Sequence, residues 1–321
     1  MAAAQAPVVA YPGHQTIGRG MAHRHEPSQA RGARRTGVIA ALAGVTLAST
    51  SVAALVAASP AAAAGPFVVP GVIDAITQPL SNGDMWVLTN IGRQEAMYQV
   101  NIKSHRTVGA EQVSDKADDI ALSANGNTVA VGTTAGAFPA EVWYSGISGR
   151  YTASAKSSAP VYRVAVNAAG NSIFALRGTT TRQQVFAVGT ANRLGLPYPL
   201  PVSAVDFVLD PATKGMLILQ PSGTVGHLAF DGGVYSNLFT SGAPARSLVL
   251  SPDGTTLYVL RAESDVATSD TIAVVNVAQG TVTKVLNVDS YCAGISLSPD
   301  GHTLYEALRG SKSTIKAVPV P

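Results

Sequence analysis

The feature that most constrains the fold is a segment that occurs twice near the C-terminus. The two copies read Ala-Arg-Ser-Leu-Val-Leu-Ser-Pro-Asp-Gly-Thr-Thr-Leu-Tyr-Val from Ala245 and Cys-Ala-Gly-Ile-Ser-Leu-Ser-Pro-Asp-Gly-His-Thr-Leu-Tyr-Glu from Cys292. Each predicts a β-hairpin, because Pro presets the φ angle of a turn and Gly accepts the positive φ that other residues resist. Residues 271–277 and 281–288, between the copies, predict two more strands. The repeating unit therefore has four strands.

Weaker copies of the same unit precede these two and set a period for the chain. With the turn glycine or its equivalent as the anchor, the anchors fall at positions 83, 126, 170, 213, 254 and 301, so the intervals are 43, 44, 43, 41 and 47 residues. A period near 44 with four short strands per unit matches the blades of a propeller, and the sequence shows no helical periodicity after its first 64 residues. We therefore predict an all-β fold, a six-bladed β-propeller of four-stranded antiparallel blades.

The last unit lacks a strand. Residues 313–318 predict its third strand, and the sequence ends at Pro321. Residues 66–69, Pro-Phe-Val-Val, precede the first inner strand and have no other partner in the repeat. We expect them to add to the last blade as its outer strand, which would close the ring and remove two exposed sheet edges.

The two C-terminal units resemble a known repeat. The segments Val-Leu-Ser-Pro-Asp-Gly-Thr-Thr-Leu-Tyr-Val from Val249, Ile-Ala-Val-Val-Asn-Val from Ile272 and Gly-Thr-Val-Thr-Lys from Gly280 are similar to the YVTN-type (WD-repeat-like) β-propeller repeat of exported bacterial proteins. The four earlier units match this repeat in spacing more than in residues. The same turn also occurs in TolB-like six-bladed propellers, so the sequence leaves the subfamily open.

Residues 1–64 differ from the rest in charge and composition. They hold five Arg against Glu26, a charge of +4, whereas residues 65–321 carry 17 basic and 18 acidic residues. The basic residues of Arg31–Arg35, an uncharged stretch from Val38 to Ala58 and the Ala run ending at Ala64 are typical of a signal peptide. We predict a helical or disordered export leader at 1–64 and a propeller domain at 65–321. The leader could use the general or the twin-arginine route, and it could stay uncleaved as an anchor.

Charge and cysteine content exclude two classes of protein. Because the basic excess lies entirely in the leader, no nucleic-acid partner is expected. The single cysteine, Cys292, permits no intramolecular disulfide, so a chain predicted to be secreted or held in the cell envelope must be stabilised by its core. We expect a monomer that contacts a membrane only through an uncleaved leader.

Polar residues stand seven positions before four of the six anchors, at the start of the inner strands. They include Asp119, Arg163 and Asp206, and Asp74 is the expected counterpart in the first unit. Side chains at these positions should point to the mouth of the central channel, close to Arg246 and Tyr291. We predict that a binding face for a protein or a cell-envelope component is formed by Asp119, Arg163, Asp206, Arg246 and Tyr291. The alternative is that these residues line an ordinary water-filled propeller channel.

These residues allow two functions of different classes. The first is a binding or scaffolding protein without a cofactor and without a catalytic residue, inferred from the fold. The alternative is a lactonase-like or lyase-like enzyme with a metal ion held by Asp74, Asp119 and Asp206, which requires their carboxylates to converge.

Overall fold

The computed structural model describes residues 65–92, 94–113, 116–134, 140–146, 153–179, 182–189, 193–211, 213–262 and 270–321. The predicted leader at 1–64 lies outside the described residues. No helix in the described part is long and apolar enough to span a membrane. The described strands are β1 (Phe67–Val68), β2 (Val72–Ile76), β3 (Asp84–Ile91), β4 (Gln94–Asn101), β5 (Arg106–Val113), β6 (Ala117–Leu122), β7 (Thr128–Thr133), β8 (Glu141–Gly146), β9 (Ala153–Lys156), β10 (Val161–Val166), β11 (Ile173–Thr179), β12 (Arg182–Gly189), β13 (Arg193–Leu200), β14 (Asp206–Asp210), β15 (Gly215–Leu219), β16 (Thr224–Ala229), β17 (Tyr235–Thr240), β18 (Ala245–Leu250), β19 (Thr256–Arg261), β20 (Thr271–Asn276), β21 (Thr281–Asn287), β22 (Cys292–Leu297), β23 (Thr303–Leu308) and β24 (Thr314–Pro319).

These strands form six four-stranded antiparallel sheets, which confirms the predicted six-bladed propeller. Blades 1 to 5 are β2–β5, β6–β9, β10–β13, β14–β17 and β18–β21, each in chain order from the inner to the outer strand. Blade 6 has the order β22–β23–β24–β1, so an early segment completes the last sheet.

Strand β1 closes the ring as expected. Phe67 pairs with Ile315 and Val68 with Thr314, and the N–H of Val69 donates to the Ser313 carbonyl oxygen at 3.0 Å. On the inner side, the Ser296 hydroxyl of blade 6 donates to the Thr77 carbonyl oxygen of blade 1 at 3.0 Å. The first and last blades are therefore joined at both their inner and outer strands.

The Ser-Pro-Asp-Gly turns are held by their own side chains. In blade 5 the Ser251 hydroxyl donates to Asp253 at 2.6 Å, and the N–H of Thr255 donates to the same carboxylate at 3.0 Å. Gly254 has φ of 73°, the left-handed conformation that glycine adopts readily. Local chemistry thus fixes each hairpin, which explains why the repeat could be recognised from sequence.

The core consists of apolar layers between neighbouring blades. Strands in the middle of a blade are covered on both faces, so β15 is buried at all five positions and β19 at four of six. Outer strands such as β21 are mostly exposed. The inner strands surround the channel, and their first residues lie on one face of the ring, here called the mouth face. The Ser-Pro-Asp-Gly turns lie on the opposite face.

Most inner strands carry a one-residue bulge close to the mouth face. The extra residue is Asp74 in β2, Asp118 in β6, Tyr162 in β10, Arg246 in β18 and Ala293 in β22. The expected equivalence of Asp74 with Asp119 is therefore wrong. The first blade's turn is one residue shorter, because Leu80 N bonds to Asp84 O where Ser123 N bonds to Thr128 O. The seventh position before Gly83 is Ile76, so the spacing gave no polar residue in this blade, and the register makes Ala75 the counterpart of Asp119.

Candidate ligand-binding mouth

Two cavities follow the central axis at the mouth face. The outer one, the mouth cavity, has a volume of about 380 Å³, and the inner one, the channel cavity, has a volume of about 190 Å³. Bulge residues line the mouth cavity, whereas the residue that follows each bulge lines the channel cavity. The charged residues described along the two cavities are Asp74, Glu95, Asp118, Asp119, Arg163, Asp206, Arg246 and Arg309.

Asp119, Arg163 and Asp206 meet in the channel cavity. Arg163 Nε lies 3.4 Å from Asp206 Oδ1. Burial raises the pKa of Asp119 to about 7, although the neighbouring Arg163 opposes this shift. Burial also raises the pKa of Asp206, again against the effect of Arg163. The channel therefore contains one guanidinium group that pairs with the buried Asp206 and acts electrostatically on the half-buried Asp119.

The two channel carboxylates also join blades to each other. Asp119 Oδ2 accepts the N–H of Val164 in the next blade at 2.8 Å, and Asp206 Oδ2 accepts the N–H of Leu248 at 2.9 Å. A buried backbone N–H needs such a partner. Part of the chemistry of these residues is therefore structural, a role that the sequence did not indicate.

Replacing Asp206 with Asn is expected to destabilise the fold. The amide can still accept the N–H of Leu248, but its NH2 group then replaces the carboxylate oxygen that pairs with Arg163. A partly buried guanidinium that loses its partner is destabilising, although burial disfavours the Asp206 carboxylate itself. We expect the free energy of unfolding to fall by about 1–2 kcal/mol, measured by urea denaturation. Asp289→Asn is the control, since that exposed carboxylate pairs with Lys316 at the surface and should contribute below about 1 kcal/mol. Equal effects of the two substitutions would contradict a linking role for Asp206.

Arg246 and Tyr291 lie together in the mouth cavity, with Arg309 beside them. The Arg246 guanidinium lies 4.2 Å from the centre of the Tyr291 ring, and that of Arg309 lies 5.5 Å from it. Arg246 also binds Asp270 Oδ1 at 3.1 Å, while Arg309 binds Asp74 Oδ1 at 2.5 Å. This side of the mouth presents two oriented guanidinium groups around one aromatic ring.

The opposite side of the mouth is acidic. Burial raises the pKa of Glu95 to about 7, and the neighbouring Asp74 raises it further, whereas a hydrogen bond from Asn90 lowers it. Burial likewise raises the pKa of Asp118 above its ordinary value, against the effect of Arg163. Glu95 is 8% exposed, and its Oε2 has no hydrogen-bond partner.

The structure thus divides the predicted site residues into two groups. Asp119, Arg163 and Asp206 line the channel cavity, and Arg246 and Tyr291 line the mouth cavity. Sequence reasoning missed Glu95 and Asp270, which stand at the start of the third strand in blades 1 and 5. Asp270 directly precedes β20, whereas Glu95 is the second residue of β4, so no shared spacing marks the two residues in the sequence.

The carboxylates proposed for the alternative metal site do not form a ligand group. Among the described residues, no three His, Cys, Asp or Glu side chains are placed to hold a metal ion. Asp74 binds Arg309, whereas Asp119 and Asp206 share Arg163. This geometry provides no support for the metal-dependent enzyme.

A larger cavity of about 490 Å³ lies at the seam of blades 6 and 1, towards the turn face. It is lined by residues of the closing strand and of two turns, among them Phe67, Ile102 and Tyr305, and its surface is mostly apolar. Lys103 and Asp300 are the charged residues described along this cavity, against the eight along the mouth and channel cavities, so the mouth is the better candidate for recognition.

Comparison with known proteins supports the fold. No protein-family model matches the chain, and no curated protein matches it. Among solved structures, hydrazine synthase of Kuenenia stuttgartiensis is similar with a TM-score of 0.60 and 14% sequence identity, and the match covers 77% of this chain and 83% of that chain. At this identity the similarity is one of fold alone.

Proposed function

We propose that this chain is an exported binding or scaffolding protein of the YVTN type, which contacts a protein or cell-envelope ligand through its mouth face. The observation that carries the proposal is the mouth cavity, where Arg246, Tyr291 and Arg309 stand opposite Glu95 and Asp118. A cavity of about 380 Å³ with a few convergent polar groups is within the size range of ligand sites. A propeller holds such groups on rigid inner strands, so they are preorganised for binding.

Two further features support parts of the proposal. The Ser-Pro-Asp-Gly turns of blades 5 and 6 share one hydrogen-bond pattern, in which the turn Asp binds both the preceding Ser hydroxyl and a following backbone N–H. This is the turn on which the YVTN resemblance rests. The apolar, Arg-preceded leader supports export.

Affinity capture tests the proposed face. The full chain, immobilised, is expected to retain a component of a cell-envelope fraction, and Tyr291→Ala should reduce the retained amount at least about tenfold, as for buried aromatic hot spots. His302→Ala, in a turn on the opposite face, is the control and should retain as much as the unmodified chain. Retention that is unaffected by Tyr291→Ala, or no retention by any version, would refute the proposed face.

A further inference from the structure

The first blade lacks a cation that the fifth blade has. The strand register places Glu95 and Asp270 at equivalent positions. Glu95 directly precedes Ala96, which pairs with Thr89, and Asp270 directly precedes Thr271, which pairs with Arg261. The bulge residue beside Asp270 is Arg246, and the equivalent bulge residue beside Glu95 is Asp74. Blade 5 therefore has an ion pair where blade 1 has two carboxyl groups.

Contacts in blade 5 show what the missing cation does. Asp270 Oδ2 accepts the N–H of Cys292 in the next blade at 2.8 Å, and its Oδ1 binds Arg246 at 3.1 Å. Both oxygens are thus satisfied. The carboxylate is 5% exposed, and a carboxylate so deeply buried requires such partners.

Glu95 has the hydrogen bond to the next blade but not the ion pair. The Asn90 amide lies 3.4 Å from Oε1, and the backbone of Ala117 in the next blade also hydrogen-bonds to the carboxyl group. Oε2 is buried and has no hydrogen-bond partner among the residues that the structure describes. Arg309 binds Asp74 but supplies no hydrogen bond to Glu95. An unsatisfied carboxylate oxygen in a ligand-sized cavity indicates a group that arrives from outside.

We infer that the mouth binds an organic cation, a guanidinium or primary ammonium group, which lies between Glu95 and Asp74 in the place that Arg246 takes in blade 5. This inference rests on the proposed binding function and specifies the class of ligand. A metal ion fits less well, because the described acidic residues form no ligand group, whereas a cation with several N–H donors reaches carboxyl groups that stand apart. Arg246, Tyr291 and Arg309 remain available for the rest of the ligand.

Charge balance supports the same conclusion. Five carboxyl groups and three guanidinium groups of the described residues line the two cavities. Each guanidinium group is already close to a carboxylate: Arg309 to Asp74, Arg246 to Asp270, and Arg163 to Asp206. The mouth is therefore short of positive charge, and a cationic ligand would offset both the burial of Glu95 and the smaller repulsion by Asp74 that raise its pKa.

Calorimetric titration of the full chain tests the inference with defined probes. N-acetyl-arginine amide and N-acetyl-lysine amide should bind, while the neutral N-acetyl-norleucine amide and calcium chloride should bind at least about tenfold more weakly. Since Glu95 has a pKa of about 7 and is faced by Asp74, Asp118, Asn90 and the Ala117 backbone, affinity for the cations should fall about tenfold from pH 8 to pH 6.

A pair of matched variants locates the effect. Glu95→Gln should weaken binding of the arginine amide at least about tenfold and remove most of its dependence on pH between 6 and 8, since the carboxyl group whose pKa is about 7 is gone. Glu306→Gln is the control: Glu306 is another buried carboxyl group with unpartnered oxygens and a pKa of about 7, but it lies in the core of blade 6. It should leave the affinity unchanged.

Three outcomes would overturn the inference: equal affinity for the lysine and norleucine amides, full affinity in Glu95→Gln, or no binding by any probe. The wild-type titrations stand even if a variant folds poorly. If envelope capture depends on Tyr291 but not on Glu95, the proposed function survives and the cationic ligand is wrong. If capture fails while the cations bind with the expected dependence on Glu95, the cationic ligand is supported and the proposed protein or cell-envelope partner is wrong.

Discussion

A chain that lacks residues 65–70 is expected to melt about 10–20 °C below the full chain. The deletion removes Phe67 and Val69, which are 9% and 3% exposed and pack in the cluster between blades 6 and 1. Burial of each apolar side chain contributes about 1.5–3 kcal/mol, and the backbone hydrogen bonds to β24 add to this. A loss of about 4–7 kcal/mol corresponds to such a shift for a domain of this size, measured by calorimetry or circular dichroism.

Point variants in and next to β1 distinguish the loss of ring closure from an unspecific effect of the deletion. Phe67→Ala with Val69→Ala should reproduce about half or more of the shift, because these two side chains face the core. Val68→Ala is the matched control: Val68 lies between them, is 52% exposed, and should change the melting temperature by no more than about 1 °C. A deletion that leaves the melting temperature unchanged would show that β1 is dispensable for the ring.

The fold could be predicted from sequence because its repeating signal is local. A turn such as Ser251–Gly254 carries its own hydrogen bonds, so its residues recur in the last two blades and its spacing recurs in the four before them. Closure by β1 followed from counting strands, since an incomplete last blade and an unpartnered first segment have a single solution that removes both edges. Neither step required knowledge of contacts between blades.

The site was less predictable because its geometry depends on register. The sequence predicted Asp74 as the counterpart of Asp119 in a first unit that is out of register with the others, but the bulge in β2 gives Asp74 the position of Asp118 and Arg246. Such one-residue changes do not alter the repeat period, yet they determine which side chains contact each other.

Glu95 and Asp270 were missed for a related reason. Each stands where the third strand begins, after a connection whose length differs from blade to blade, so no fixed spacing from the anchor identifies them. Their partners are backbone and side-chain groups of other strands, which only the folded ring brings close. The channel acids Asp119 and Asp206 were found by spacing, but their use in joining blades was not.

Glu306 is expected to make stability depend strongly on pH. It is 1% exposed on β23, with Leu304 and Leu308 on the same face, and neither carboxyl oxygen has a partner. Blade 5 has Val259 at the equivalent position. Lys316 lies opposite in β24, but its ammonium group binds Asp289. Burial raises the pKa of Glu306 to about 7, against the opposing effect of Lys316.

The sign of the effect follows from proton binding. An unfolded Glu titrates near 4.5, so between that pH and about 7 the folded state holds more protons than the unfolded state. Stability from this group is therefore complete below about pH 4.5, falls as the pH rises, and stays reduced above about pH 7. The total loss is about 3 kcal/mol, from the separation of the two pKa values.

Glu306→Gln removes the titrating group and keeps its shape. The variant should match the wild type near pH 4.5 and exceed its free energy of unfolding by about 3 kcal/mol near pH 8, measured by urea denaturation across this range. Taking the difference between the two proteins cancels the titration of Glu95 and Asp119, which are intact in both. Glu306→Val, which copies blade 5, should be at least as stable at every pH. A difference that is constant with pH would mean that the carboxyl group ionises normally in the fold, and a gain that vanishes in about 0.5 M salt would place it in contact with solvent.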